Sequence, residues 1–330
     1  MVALWIATLL VSLVVALVSS LLLARILDRV GSRLGCTDAI IGVLTALGAD
    51  SPEISAAAVA VLTNQTDIGV GVVLGSNVFN LAGLLGISAL ITGAIRVGRG
   101  GALVEGIPAI LVAVVAVALI AVPLNAWLAL GLVVAILVPY LWLSSIDPAS
   151  LERGAPRSKL RHRLALAVAE EERDAAPDHH EPPARTIDLV LLLPVLGLVV
   201  ASSVGMVEAA QHLGDRWGIS PVVSGTLILA MLTSIPNSVA AIRLSLHGRG
   251  AAVVAEAFNS NTANILAGLC LPAAILGLGS VSHDATLTAW WCLVMTTVTV
   301  GLLWLRGGLH RFGGSVVILS YAAFVVWVLR

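Results

Sequence analysis

Two carboxylates three residues apart, Asp50 and Glu53, flank Pro52 inside an otherwise apolar stretch, Gly48-Ala49-Asp50-Ser51-Pro52-Glu53. On a helix that spacing sets both acids on one face. A polar cluster follows at Gly75-Ser76-Asn77-Val78-Phe79-Asn80. The same order returns as Leu232-Thr233-Ser234-Ile235-Pro236-Asn237 and Asn259-Ser260-Asn261-Thr262-Ala263-Asn264, and 28 residues separate the proline from the final asparagine in both copies. The chain therefore contains an internal repeat without gaps. Carboxylate, hydroxyl and amide oxygens together form a hard-oxygen environment, suited to Na+ or Ca2+ rather than to a soft transition metal.

The surroundings make these residues costly. The 330-residue chain is 58% hydrophobic and 11% charged, with a mean hydropathy of +1.02, far from the ~25% charged residues of soluble proteins. It reads as an integral membrane protein. Cys36, Cys270 and Cys292 lack metal or disulfide spacing and read as small apolar residues. The first apolar run, about 23 residues, exceeds the 7–15 of a signal-peptide core, so no cleavable signal is expected.

Ten apolar runs approach the ~20 residues needed to cross a bilayer. They fall near 2–24, 38–62, 67–93, 103–121, 124–145, 187–207, 220–246, 251–278, 284–305 and 312–329. One long polar segment divides the chain into a first five-helix repeat over 1–145, a linker loop over 146–186 and a second five-helix repeat over 187–330. The odd-numbered loops collect 16 of the 18 Lys and Arg, leaving only Arg216 and Arg330 for the other side. By the positive-inside rule those loops, including the central one, are cytoplasmic, and both termini lie outside the plasma membrane. Five spans per half is an odd number, so the second half enters the membrane upside down. The expected fold is an all-α membrane protein of ten transmembrane helices, built as two inverted five-helix repeats with helices broken at mid-membrane.

Inverted repeats with broken helices and polar residues at mid-membrane are the usual construction of secondary transporters. Pro52 and Pro236 are expected to break spans two and seven and to free backbone carbonyls there. Such breaks are tolerated at depth only where protein or a watery cavity satisfies them. A purely structural role also exists for the first acids: Asp50 or Ser51 as helix cap, Pro52 as the first helical residue and Glu53 as a first-turn acid. An ionisable residue near the bilayer centre costs about 2.5–3.5 kcal/mol, and a serine cap would serve without it. Cation binding is therefore the favoured role, compatible with capping. Ser76, Asn80, Thr233, Ser234, Asn237, Ser260 and Asn264 taken singly read as helix-packing groups, as Gly75, Gly83 and Gly86 do. Their recurrence in both repeats draws them towards the site.

The first repeat resembles that of the calcium/cation antiporter superfamily, which includes the sodium/calcium exchangers and carries Gly-Thr-Ser-x-Pro-Glu followed by Gly-Ser-Asn-x-x-Asn or -Asp. Residues 46–80 match that pattern closely and 230–264 more loosely. The resemblance implies an ion site at Asp50, Glu53, Ser76 and Asn80 in the first repeat and Thr233, Ser234, Asn237, Ser260 and Asn264 in the second. Backbone carbonyls near Ala46 and Ala230 would complete it. The departures are Ala49-Asp50 in place of Thr-Ser, Asn237 in place of the second glutamate, and Asn259 in place of a glycine. Both acids thus sit in one repeat, with a formal charge of −2 that balances one Ca2+, two Na+ or two H+. A cycle loading three Na+ has few carboxylates to spread its charge, which makes proton coupling more credible.

Glu256, one turn before Ser260, either restores a carboxylate to the second repeat or faces a mouth or solvent. Arg243 is expected to snorkel to the cytoplasmic surface, and Asp67 to cap the third span. The linker, with a short helix over 160–173 and His179-His180, reads as a solvated segment. No nucleophile-base pair or nucleotide loop supports an enzyme, and no bound cofactor is implied. The expected partners are inorganic cations and the lipid bilayer, with no nucleic acid; oligomeric state leaves no mark on the sequence. The leading function is a secondary antiporter exchanging Ca2+ or a similar cation against Na+ or H+. The alternative is a transporter on the same scaffold that carries a different solute, and a non-transporting membrane partner is a third.

Overall fold

A computed structural model describes residues 2–36, 38–122, 124–144 and 184–330. The helix expected over 160–173 and the pair His179-His180 lie outside them. The described chain is mostly helical. Eight of its helices are long and apolar enough to cross a membrane. They include α1 (Val2–Arg33), α4 (Thr66–Thr92), α5 (Arg99–Ala121), α7 (Thr186–Trp217), α8 (Pro221–Leu246), α11 (His283–Arg306) and α12 (Arg311–Val328). The eighth is α6 (Ala126–Ser144). Two of the expected runs are divided. Residues 38–62 form α2 (Asp38–Ala49) and α3 (Ser51–Leu62), separated at Asp50. The run near 251–278 forms α9 (Gly250–Ala263), a π-helical stretch over Asn264–Cys270, and α10 (Leu271–Leu276).

The two proline-bearing spans behave differently. Pro52 stands in the first turn of α3, where its missing N–H is an orphan in any case. Pro236, expected to break its span, instead lies inside a continuous helix, Ala230–Leu246. A proline removes one hydrogen bond, here to the Leu232 carbonyl, and the helix continues past that loss. The irregularity of this span falls earlier, as a π-helical stretch over Ser224–Leu229. Matching π stretches follow both asparagine clusters, at Leu81–Ile87 and Asn264–Cys270. Wide turns of this kind gather at functional sites.

Burial sorts the helices. The apolar window of α4 is 100% buried, against 28% in α1 and 33% in α7. Thus α4 is the central element, while α1 and α7 pack along one another at the periphery and turn apolar faces outward. Both are 32 residues long, beyond their apolar runs. The extension carries Arg25, Arg29 and Arg33 within α1, and Arg29 pairs with Asp188 at the start of α7 at 3.1 Å. Asp67, expected as a cap, sits in the first turn of α4 behind Gln65 and instead accepts the N–H of Ser282 at 3.0 Å. It thereby ties α4 to the start of α11. A short antiparallel pair, Ala94–Arg96 with Gly308–His310, joins the far ends of α4 and α11.

Close backbone approach fixes α4 against α8. A Cβ on Gly75 would stand 2.5 Å from the Thr226 Cα, and one on Gly225 would stand 2.4 Å from the Ile68 carbonyl oxygen. Gly225→Ala is therefore expected to separate the helices and cost about 1–3 kcal/mol by overpacking. A lowered melting temperature of the purified protein checks this; an unchanged one would mean that the two helices are free to move apart.

Candidate cation-binding site

The break between α2 and α3 presents the acids. The N–H of Asp50 still reaches the Ala46 carbonyl at 2.8 Å, and Ile54 N–H reaches the Asp50 carbonyl at 3.0 Å. Pro52 offers no N–H to Gly48, and the Ser51 hydroxyl takes that carbonyl instead at 2.7 Å. The chain bends here with its backbone bonds largely kept. The Ala46 carbonyl, expected to complete the ion site, thus already accepts one hydrogen bond. Ala230 likewise accepts the Thr233 hydroxyl at 3.3 Å.

Each acid meets the other repeat. Asp50 Oδ1 accepts from Asn237 Nδ2 at 2.7 Å, and Glu53 Oε1 accepts from the Ser234 hydroxyl at 3.0 Å. Ser260 stands beside Asp50, and Thr233 beside Glu53. Positions 184 residues apart are repeat mates, as Asn77 and Asn261 are. By that offset Asp50 pairs with Ser234 and Glu53 with Asn237, so the two contacts are one contact seen from either repeat. The asparagine clusters obey the same rule. Asn77 Nδ2 donates to the Asn261 carbonyl at 3.0 Å and Asn261 Nδ2 to the Asn77 carbonyl at 3.1 Å. Asn80 Nδ2 donates to Asn261 Oδ1 at 3.0 Å, and Asn264 Nδ2 to Asn77 Oδ1 at 3.3 Å. Asn77 and Asn261, which the sequence reading left out of the site, thus clasp the repeats together.

Those donations leave acceptors facing inward. Asp50 Oδ2, Glu53 Oε2, Ser76 Oγ, Asn80 Oδ1 and Asn264 Oδ1 are buried without a hydrogen-bond partner. Buried polar atoms without partners are uncommon and costly. These oxygens come from four helix segments whose amide nitrogens are engaged in hydrogen bonds between the repeats, a cradle-like set of the kind that could hold a hard cation. Among the described residues no three Asp, Glu, His or Cys side chains gather as a metal cluster, so two acids are supplemented by neutral oxygens. Of the expected residues, Asp50, Glu53, Asn80, Thr233, Ser234, Asn237 and Ser260 are joined by direct contact or close approach, and Asn264 through the Asn77 clasp. Ser76 is fully buried near them with its hydroxyl unengaged. Arg243 is exposed in the last turn of α8.

A largely buried polar chain at the flank escaped the sequence reading. Asn259, where a glycine was expected, donates to the Tyr140 hydroxyl at 2.9 Å, and that hydroxyl donates to Glu105 at 3.0 Å. Glu105, 4% exposed, lies well inside α5. Its placement within an apolar span was the available signal. Tyr140→Phe is expected to lower thermal stability by about 1–3 kcal/mol, because it strips a partner from the buried Glu105 and from the half-buried Asn259. An unchanged melting temperature would contradict this.

The sequence matches the model of the family described as sodium/calcium exchanger protein over residues 4–146 and 187–330. It is 26% identical over 312 residues to CaxA of Alkalimonas amylolytica, described as a candidate antiporter, covering 88% of each chain. Inner membrane protein YrbG of Escherichia coli K12 is 26% identical over 296 residues, covering 89% of this chain and 86% of its own. Sodium/potassium/calcium exchanger 2 of Gallus gallus is 30% identical over 117 residues, which cover 36% of this chain and 18% of that one. Among solved structures, the sodium-calcium exchanger NCX_Mj aligns over 99% of both chains with a TM-score of 0.59 at 20% identity. That likeness shows a shared fold.

Proposed function

We propose that this chain, which belongs to the sodium/calcium exchanger protein family, moves Ca2+ or a similar hard cation against Na+ or H+ by alternating access. It is a multi-pass membrane cation antiporter and not an enzyme. The ion reading is carried by one observation. Asp50 and Glu53 each bond across to the opposite repeat while keeping one carboxylate oxygen buried and unpartnered.

The ten expected spans, with 38–62 and 250–276 counted as broken ones, give two inverted five-span repeats. Orientation follows from the basic loops, with both termini outside the plasma membrane and the central loop cytoplasmic. Asp50 and Glu53 supply charge, and Ser76, Asn80, Thr233, Ser234, Asn237, Ser260 and Asn264 supply neutral oxygens. The carbonyls of Ala46 and Ala230 complete the proposed set, the first already accepting the Asp50 N–H and the second the Thr233 hydroxyl. Ca2+ takes six to eight oxygens, a number this set provides. Because contacts between repeats line the cradle, a shift of one repeat against the other exposes it to one side or the other.

Titration of the purified protein with Ca2+, Sr2+, Mg2+, Na+ and K+ by calorimetry tests the ion assignment. The expected result is Ca2+ binding that Na+ or protons displace. Ca2+ at a hundred times its Kd then stabilises the fold by about 2.7 kcal/mol. Absence of binding by any of these cations to folded protein would overturn the assignment in favour of a different solute.

A further inference from the structure

One carboxylate near the cradle has no place in the repeat. Glu256 lies one turn before Ser260 in α9, and its repeat mate is Val72, which is fully buried. Residues 256, 260 and 264 form a single stripe at helical spacing, continued from α9 into the π stretch. Along it, Glu256 Oε2 and Asn264 Oδ1 are both buried and unpartnered. Between them the Ser260 hydroxyl accepts the Asn80 amide at 3.0 Å. Ser260, one turn beyond Glu256, stands beside Asp50, and α9 packs against α2 across the interface between repeats. Among the described residues no basic side chain forms an ion pair with it. Helix termini do not explain it either, since it lies six residues inside α9, beyond the first turn where a helix dipole favours an acid.

We propose that Glu256 is the second repeat's charge-bearing ligand and that with Asp50 it forms a further subsite for a monovalent hard cation of Na+ size, beside the Glu53 position. This rests on the antiporter reading and deepens it. Asn237 removes a carboxylate from the repeat motif, and Glu256 returns one from outside the motif, at a different place on the cradle wall. The second repeat then adds the charge of Glu256 on α9 to those of Asp50 at the α2–α3 break and Glu53 in α3. That total balances a divalent and a monovalent cation together, or three monovalent cations in the opposite half-cycle.

The test is displacement of bound 45Ca2+ by Na+ in purified wild-type, Glu256→Gln and Glu256→Asp proteins. In Glu256→Gln the steepness of displacement is expected to fall by about one Na+, as linkage requires when one cation leaves the equilibrium. The Na+ needed for half-displacement should rise about tenfold with loss of ligand charge, and Glu256→Asp should keep the wild-type steepness. Equal steepness in wild type and Glu256→Gln overturns the proposal. Should Glu256→Gln not fold, wild-type protein is treated with dicyclohexylcarbodiimide and its peptides are weighed. Na+ is expected to protect Glu256. Protection of Glu53 by Ca2+ or Na+, with Glu256 unprotected or unreactive, overturns the subsite and leaves the antiporter reading standing. Protection of neither acid by any cation overturns both.

Discussion

Asp50→Asn alone is expected to weaken Ca2+ binding about a hundredfold, and adding Asn237→Asp should recover most of that loss. A unit charge about 4 Å from another is worth about 4 kcal/mol at an effective dielectric of 20. The oxygen of the new amide returns a part of this, leaving roughly the 2.7 kcal/mol of a hundredfold change. The contact between these residues is 2.7 Å, with the amide of Asn237 donating to Asp50. In the single variant the asparagine oxygen still accepts that bond, so the fold persists while the charge is gone. In the double variant donor and acceptor trade sides, and the carboxylate returns to the same cradle from the opposite repeat. A purely structural role for Asp50 predicts otherwise: the single variant would bind as wild type does. Calorimetry on the three proteins distinguishes these accounts.

Glu53→Gln is expected to abolish exchange and, at the same time, to stabilise the cation-free protein. Glu53 is 1% exposed, and its Oε2 has no partner. A buried charge without compensation is strongly unfavourable, and a neutral isostere relieves it. The Ser234 hydroxyl can still donate to the new amide oxygen, keeping the 3.0 Å contact. Melting curves should therefore show a higher cation-free midpoint than wild type and no rise on adding Ca2+. A lower midpoint with an intact Ca2+ response would make Glu53 a structural group.

Much of this was legible because a repeat states its own register. Two prolines and two asparagines at equal spacing located the four segments that meet at the cradle, and helix periodicity placed Asp50 and Glu53 together. Which atoms meet was not legible. The clasp of Asn77 with Asn261 depends on two helices crossing closely, and sequence spacing says nothing about crossing distance. Pro236 misled because proline removes only one hydrogen bond, and whether a helix breaks there is settled by its neighbours. The Ala46 and Ala230 carbonyls, which the family resemblance implied as ligands, accept a backbone N–H and a hydroxyl, bonds that sequence spacing does not display. Glu105 and Tyr140 lie in spans without repeat counterparts of like chemistry, so nothing in the register pointed to them.

The central claim is that a cradle shared by the two repeats couples a hard cation to a counter-ion. It is tested most directly by 45Ca2+ uptake into liposomes holding purified protein, with Na+ inside, with a pH gradient, or with an impermeant cation and no gradient. The account predicts uptake under the Na+ or the pH gradient, none without a counter-ion, and loss of uptake in Glu53→Gln. Uptake that proceeds equally without a counter-ion, or that survives Glu53→Gln unchanged, would contradict it.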